Sequence, residues 1–493
     1  MAKKQFVWIM TDTTGFNLVS SYGSPIKTPC IDSMGEEGIR FERVYTCQPV
    51  CGPARSALFT GLFPHSNGNW GSCMALGDDM LTLGQRLSKQ GVACGYIGKW
   101  HLDAGDYFGN GICPDGWEKD YWYDMKCYLE ELTDEERAFS RKPSASDHNI
   151  DESFTYGYRV TQKALRFMQE HKDEDFFLVV SYDEPHGPSL CPEPYASMYP
   201  TVVNMDSPSY EDTLEGKPLL QTAWAIEAKG EKVEKRKRGV SHRLAGCTTF
   251  IDSQIGKVLA YARASLPDSL RMFTSDHGDA AHAHGLRSKG PCVYDEVARV
   301  PLFFEGNAVN GKAVYPHVVS HIDLPATVLD YMGHHKPPMF QGESLLPVLK
   351  CPTTPINRPA FVEFGRYEID HDGYGGFQPM RAIITDAYKL CINLMDSDEL
   401  YDTKKDPYNL VNCIEDDAYS KIRNALHDQL LTWMNETRDP FRGYQWQART
   451  WRKDKTISWD VDGYTRQKVA DIGEACQLDY DTGLPFLHHT RVK

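Results

Sequence analysis

The stretch CQPVCGPARSALFTG, Cys47 to Gly61, sets a thiol, Cys51, two residues before a proline and four before an arginine at the head of a helix-like run. Pro53 suits the first turn of a helix and Gly61 its end, so Cys51 is expected where free N–H groups and the macrodipole favour an anion. Arg55 falls one turn further along the same face. Asp12 follows an apolar run, Phe6 to Met10, and Asp276 with His277 follows another, Leu270 to Ser275. Two carboxylates and an imidazole are ligands for a divalent cation, the carboxylates suiting a hard ion such as calcium or magnesium. Lys99 and His101 in GKWH, His186 in EPHGP and Lys289 in RSKG add cations and proton carriers in loops of the same kind. Each has an ordinary alternative when read singly: a buried thiol, a turn-capping aspartate, a solvated lysine, a hydrogen-bonded histidine. Their recurrence after strand-like runs favours a shared site. His282 and His284 in AHAHG stand beside them without an assigned role.

The elements that must carry these residues follow an α/β grammar, a short apolar run, a polar loop and then a capped helix. TPCIDSMGEEG reads as a helix with Thr28 as N-cap, Pro29 at the first helical position and Gly38 as its stop. LTLGQRLSKQG, Leu81 to Gly91, reads as an amphipathic helix, and VACGYIG as the strand that delivers Lys99 and His101. FFLVVSY runs into DEPHGP, and LRMFTS into DHGD. Open α/β sheets bind ligands at the carboxyl ends of their strands, so these loops are expected to meet in one crevice. Past residue 350 the texture changes. PAFVEFG, MRAIITD and YKLCINL read as antiparallel strands, ELYDTKKDPYNL as a turn-rich loop, and Ala418 to Thr437 as one amphipathic helix. The expected division is a catalytic domain over 1–350, a smaller α+β subdomain over 351–440, and an aromatic, basic extension over 441–493 packed on the body or on a partner subunit. The charge run Lys229 to Lys237 reads as a solvated loop or helix end.

Composition limits the function classes. A chain of 493 residues, 41% apolar, can bury a large core. A formal charge of −15 argues against nucleic acid or an anionic membrane as partner, so any anion must meet local positive charge. The 14 cysteines include no CxxC pair, which suggests neither a disulfide framework nor a thiolate zinc site. The N-terminus lacks a signal-peptide pattern, and no apolar run reaches the roughly 18 residues of a membrane span, so a cytoplasmic location is expected.

The strings TDTTG, CGPARSALFTG, GVACGYIGKWH, PHGP, SDHGD and KGPCVYDEVARVPL, in that order over Gln5 to Leu302, resemble the type I, formylglycine-dependent sulfatases of the alkaline phosphatase superfamily. ELYDTKKDPYNL resembles that family's C-terminal domain. The resemblance implies a large mixed sheet flanked by helices, with a smaller antiparallel sheet and helix after it. It implies an arylsulfatase-like sulfuric ester hydrolase whose Cys51 is oxidised by a maturation enzyme to formylglycine, hydrated to a gem-diol. Asp12, Asp276 and His277, with residue 51, would hold one divalent ion, calcium foremost, with magnesium or manganese as alternatives. One diol oxygen would attack sulfur while Arg55 fixes the formylglycine and Lys99 and Lys289 neutralise the sulfate. His186 would serve the departing alcohol, and His101 would take the proton whose loss expels sulfate by C–O cleavage.

Some positions depart from the commonest family pattern. Thr13 stands where a second aspartate is frequent, His277 where an asparagine is, Ala54 where a serine is, and Cys94 where Ser or Thr is. The Asp-His pair and CGPAR look more like the phosphonate monoester hydrolase and choline sulfatase branch. That makes manganese more competitive and keeps a phosphonate monoester or phosphodiester hydrolase as the alternative. A binding protein whose Cys51 stays a thiol is the third class. The implied substrate is a small aryl, steroid or saccharide sulfate, received by aromatic loops around Tyr107 to Tyr128 and Pro192 to Gln221. A homo-oligomer is compatible with the aromatic extension.

Overall fold

The first strand shows how the core is built. In β1 (Gln5–Thr11) every residue is buried, Phe6, Trp8 and Met10 facing one hydrophobic cluster and Val7 and Ile9 the other. A strand covered on both faces has no polar alternation, which is why the run is apolar throughout. The computed structural model describes residues 3–72, 74–103, 107–229, 239–368, 376–455 and 482. The charge run after Lys229 and the extension beyond residue 455, Thr482 apart, lie outside them.

The strands in chain order are β1, β2 (Ile39–Tyr45), β3 (Ala93–Gly98), β4 (Phe176–Ser181), β5 (Val202–Asn204), β6 (Gly239–Ser241), β7 (Leu270–Ser275), β8 (Arg299–Gly306), β9 (Ala313–Ser320), β10 (Ala360–Arg366), β11 (Phe377–Ile384), β12 (Tyr388–Asn393) and β13 (Glu399–Asp402). Seven form a mixed sheet in the order β3-β4-β1-β7-β8-β2-β9, and β5 pairs with β6. Four neighbours, β3, β4, β1 and β7, run parallel. Their register puts Gly98 and Met10 beside Ser181, and Thr11 beside Ser275, so the four chains leave the sheet at one level. Helices Tyr156–Glu170 and His242–Ser265 cover one face, while Cys51–Thr60, Leu83–Ser88 and Asp323–Met332 cover the other.

Local signals work with one exchange of partners. Thr82 and Gln85 close a capping box on helix Leu83–Ser88. Helix Pro29–Glu37 does begin after Thr28, yet the Thr28 hydroxyl does not cap it. The N–H groups of Cys30 and Ile31 instead donate to the Asp252 carboxylate, at 3.0 and 2.8 Å, from the helix packed against it.

The strands β10 to β13 form an antiparallel sheet in sequence order. The last differs from the turn-rich reading of ELYDTKKDPYNL. Glu399–Asp402 pairs with β12 because Leu400 and Tyr401 find buried neighbours, and the turns begin only at Thr403. One face of this sheet, with Val362, Phe364, Met380 and Ala382, packs on Tyr45, Val50 and Val293 of the body. The other, with Ile383, Leu390 and Ile392, packs on helix Ser420–Glu436 and on Trp446 and Trp451. The described cysteines are free thiols. Among the described residues, no helix is long and apolar enough to cross a membrane.

Candidate active site

Cys51 opens helix Cys51–Thr60, all of whose residues are buried, and Gly61 closes it with φ 72° as its N–H donates to the Ala57 carbonyl. Asp12 follows β1, Lys99 follows β3, and Asp276 and His277 follow β7. Gly98 makes the approach of Lys99 feasible: its φ is +121°, and a Cβ there would lie 1.8 Å from the Ser181 carbonyl oxygen.

Four of the expected residues converge most closely. One ligand atom from each of Asp12, Cys51, Asp276 and His277 lies within 4.8 Å of the others, and all four residues are buried. Cys51 Sγ is 3.1 Å from His277 Nε2, 3.0 Å from Lys289 Nζ and 3.9 Å from Asp12 Oδ1. His277 Nδ1 lies 2.8 Å from the Gly278 carbonyl oxygen, which can only accept, so Nδ1 carries a hydrogen and Nε2 is the ring atom that faces the cluster, where loss of its proton would free a lone pair for a cation. Two carboxylates and an oriented imidazole fit a divalent cation. Thr13, which stands where the resembled family frequently has a second aspartate, is not one of these four residues. It has φ 66°, its hydroxyl donates to Asp12 Oδ1 and its N–H to Asp276 Oδ1, so it braces both carboxylates.

Arg55 is fully buried and turns to the carboxylates rather than to the Cys51 side chain. Its Nε donates to Asp276 Oδ2 at 3.0 Å and Nη2 to Asp12 Oδ2 at 3.2 Å, while Nη1 donates to the Lys99 carbonyl and Ser181 Oγ at 2.7 and 2.8 Å. A guanidinium with this many bonds fixes two strand ends as well as two charges.

The crowding of charge shows in the acidities. Burial and the adjacent Asp12 carboxylate push Asp276 up to about 7. Burial opposes ionisation of Asp12 too, but Lys99, then His186, Lys289 and His277, hold it well below the usual carboxylate range. For Cys51, burial and Asp12 work against the thiolate, and Lys289, Lys99 and His277 overcome them, so the thiol sits well below its ordinary value. A negative atom at residue 51 is therefore at home.

The remaining expected residues form a rim. Lys99 Nζ bridges Asp12 Oδ2 at 2.8 Å and Asp183 Oδ1 at 3.0 Å, and sits 4.0 Å from the centre of the Tyr107 ring. His101, with φ 61°, meets the same ring edge-on at 5.4 Å, and His186 Nδ1 lies 2.9 Å from its hydroxyl. Burial first, then Lys289 and Lys99, pull the pKa of His186 below the ordinary histidine value and favour the neutral ring. Asp183, Ser181 and Tyr107 were not singled out by sequence. Asp183 lies two residues beyond β4, as Asp12 and Asp276 lie one beyond β1 and β7, so strand-end placement could have found it. Tyr107 is legible only as part of the aromatic entrance loop Tyr107 to Tyr128, with no role of its own. His284 belongs elsewhere, in a buried pair with Asp212 at 2.6 Å, stacked on Tyr294.

This arrangement has relatives. A family model described as Sulfatase matches residues 4–334, and one described as N-sulphoglucosamine sulphohydrolase, C-terminal, matches residues 283–436. The chain is 42% identical over 496 residues to the Escherichia coli (strain K12) protein named uncharacterized sulfatase YidJ, spanning 98% of this chain and 97% of that one. The solved phosphonate monoester hydrolase of Agrobacterium radiobacter shares the fold with a TM-score of 0.69 at 21% identity, over 89% of this chain and 96% of that one. The structure of BT4656 in complex with its substrate D-glucosamine-2-N,6-O-disulfate does so with a TM-score of 0.70 at 21% identity, over 92% and 100%. The match over residues 4–334, with a relative aligned along nearly its whole length, shows that the chain belongs to the sulfatase family of sulfuric ester hydrolases.

Proposed function

We propose that the site hydrolyses a sulfate monoester through a formylglycine derived from Cys51, with a divalent cation at Asp12, Asp276 and His277. The observation that carries this is the convergence of four ligand atoms within 4.8 Å beside Lys289. Cys51 Sγ then stands where an oxygen of the hydrated formylglycine would lie. Converted in this way, residue 51 would supply a nucleophile that can later release sulfate by C–O cleavage, which a serine or thiol cannot. The cation, calcium or manganese given the imidazole in its ligand set, would supply Lewis acidity and charge neutralisation at the sulfate.

The chain's own residues do the rest. Lys289 and Lys99 face the reacting group from two sides and neutralise charge on the sulfate as it grows in the transition state. Arg55 keeps Asp12 and Asp276 aimed at one point. His186 stands at the rim to hand a proton to the departing alcohol oxygen, and His101 to take the proton whose loss releases sulfate. A sulfated saccharide is the substrate class suggested by the N-sulphoglucosamine sulphohydrolase match at residues 283–436 and by the disulfated sugar of BT4656. The cysteines among the described residues, all free thiols, suit a reducing compartment such as the cytoplasm.

The test is a comparison of kcat/KM for 4-nitrophenyl sulfate and for a 4-nitrophenyl phosphonate monoester, using protein co-produced with a formylglycine-generating enzyme. A preference for the sulfate is expected, lost on chelation and restored by calcium or manganese. A preference for the phosphonate would favour the alternative that the Agrobacterium radiobacter neighbour brings to mind.

A further inference from the structure

One side chain outside the expected set touches three groups given work at the rim. The Tyr107 hydroxyl lies 2.5 Å from Asp183 Oδ1 and 2.9 Å from His186 Nδ1. Its ring covers Lys99 Nζ at 4.0 Å and meets His101 edge-on at 5.4 Å. The hydrogens can be assigned from chemistry. The Asp183 carboxylate only accepts, and it also receives Lys99 at 3.0 Å, so the phenol hydrogen goes to Asp183. The phenol oxygen is then an acceptor, and His186 Nδ1 must be the donor. The Gly187 carbonyl, 3.1 Å from the same nitrogen, demands the same tautomer. Nδ1 is thereby committed to the protein, and Nε2 is the ring atom left for a substrate.

We propose that Tyr107, held by Asp183, is a positioning residue that orients His186 with Nε2 toward the leaving-group oxygen while its ring seats Lys99. The inference rests on the sulfatase reading above. In the step it serves, the S–O bond to the alcohol breaks and its electron pair goes to the alcohol oxygen. The proton on Nε2 of the His186 imidazolium passes to that oxygen, leaving a neutral imidazole. Burial, Lys289 and Lys99 disfavour that imidazolium, and what opposes them is the charge of Asp12 and Asp183 together with the Nδ1–H bond to a phenol oxygen whose own hydrogen is polarised by Asp183. An ester whose leaving group is already a stable anion needs none of this. The role therefore predicts an effect that depends on the leaving group.

The experiment uses the matured full-length chain, its Tyr107→Phe variant and its Tyr107→Leu variant, with 4-nitrophenyl sulfate and unsubstituted phenyl sulfate as probes. Tyr107→Phe keeps the ring over Lys99 and leaves Nδ1 only the Gly187 carbonyl. Its kcat is expected to fall about 10- to 100-fold on phenyl sulfate, part of the 10²–10⁴-fold that a placed proton donor contributes, and under about 3-fold on 4-nitrophenyl sulfate. Its KM should stay near wild type. Tyr107→Leu also uncovers Lys99, so it should lose activity on both esters. A general packing defect would slow both substrates alike, so an equal loss in Tyr107→Phe, or none, overturns the inference while an active wild type leaves the sulfatase reading standing. A matured wild type inactive on both esters overturns that reading and this one with it.

Discussion

Two clusters of buried charge sit at opposite ends of this molecule's logic, one at the ends of the parallel strands and one beside the C-terminal sheet. Beside that sheet, Arg381 donates from Nε and Nη2 to both oxygens of Asp439 and from Nη1 to the Phe364 and Met380 carbonyls. Arg449 makes two bonds of 2.8 Å to Asp398, which also accepts from Trp451 Nε1. Each acceptor faces a donor within the chain, and the charges close in pairs. At the strand ends, Arg55 and Thr13 brace Asp12 and Asp276, yet ligand atoms from those two carboxylates, a thiol and a ring nitrogen still point at one another. Like charges brought this close cost stability unless a guest joins them. A closed pair reads as architecture, and a convergent set as a site.

The sharpest way to break this contrast is to remove the convergent atom that reacts. Cys51→Ala is expected to reduce ester hydrolysis to background with only a small change in melting temperature, since the groups its sulfur meets, Lys289 and His277, belong to the site and not to the hydrophobic core. A melting temperature that falls with the activity would argue for a structural thiol. Next come the two arginines. Arg381→Met should cost about 3–5 kcal/mol by stranding Asp439, and Arg55→Met a similar amount by stranding Asp12 and Asp276. Denaturation with added calcium or manganese should restore part of the loss in Arg55→Met and none in Arg381→Met. Equal behaviour would erase the distinction.

The C-terminal cluster also predicts a pH response. His427 donates from Nε2 to the Trp446 carbonyl at 2.7 Å and accepts on Nδ1 from Arg452 at 3.2 Å, so it must be neutral. Burial, with Arg452 and Lys455 nearby, holds it down at about 4. The unfolded chain binds this proton from about pH 6.5. Its contribution, about 3 kcal/mol at most, is thus fully present above pH 6.5 and is lost as the pH falls to 4. Stability followed by urea denaturation should drop less over that range in His427→Gln than in wild type. The smallest effect is at the borrowed cap. Asp252→Ala should cost about 0.5–2 kcal/mol, and Thr28→Ala less, measured the same way, because Asp252 and not Thr28 holds the N–H groups of Cys30 and Ile31.

The sequence reveals the strand ends well, because apolar runs stop where Asp12, Lys99, Asp276 and His277 begin, and a parallel sheet carries such ends to one edge. Cys51 and Arg55 are legible through their spacing on one helix. What Arg55 touches is not, since its partners follow strands more than forty residues away on either side in sequence. Asp252 as a cap and Tyr107 as a hub come from tertiary packing, which no local pattern encodes. Strand β13 was hidden for a related reason: two buried residues, Leu400 and Tyr401, within a turn-rich segment pair only because β12 is there to receive them.

The central claim is that Cys51 is the precursor of the nucleophile, and it is tested most directly by peptide mass spectrometry of the Cys51 fragment from active, matured protein. Conversion to formylglycine exchanges the thiol for an aldehyde and lowers the mass by about 18 Da. The account predicts that loss, in proportion to specific activity across preparations. An intact thiol at residue 51 in fully active protein would contradict it.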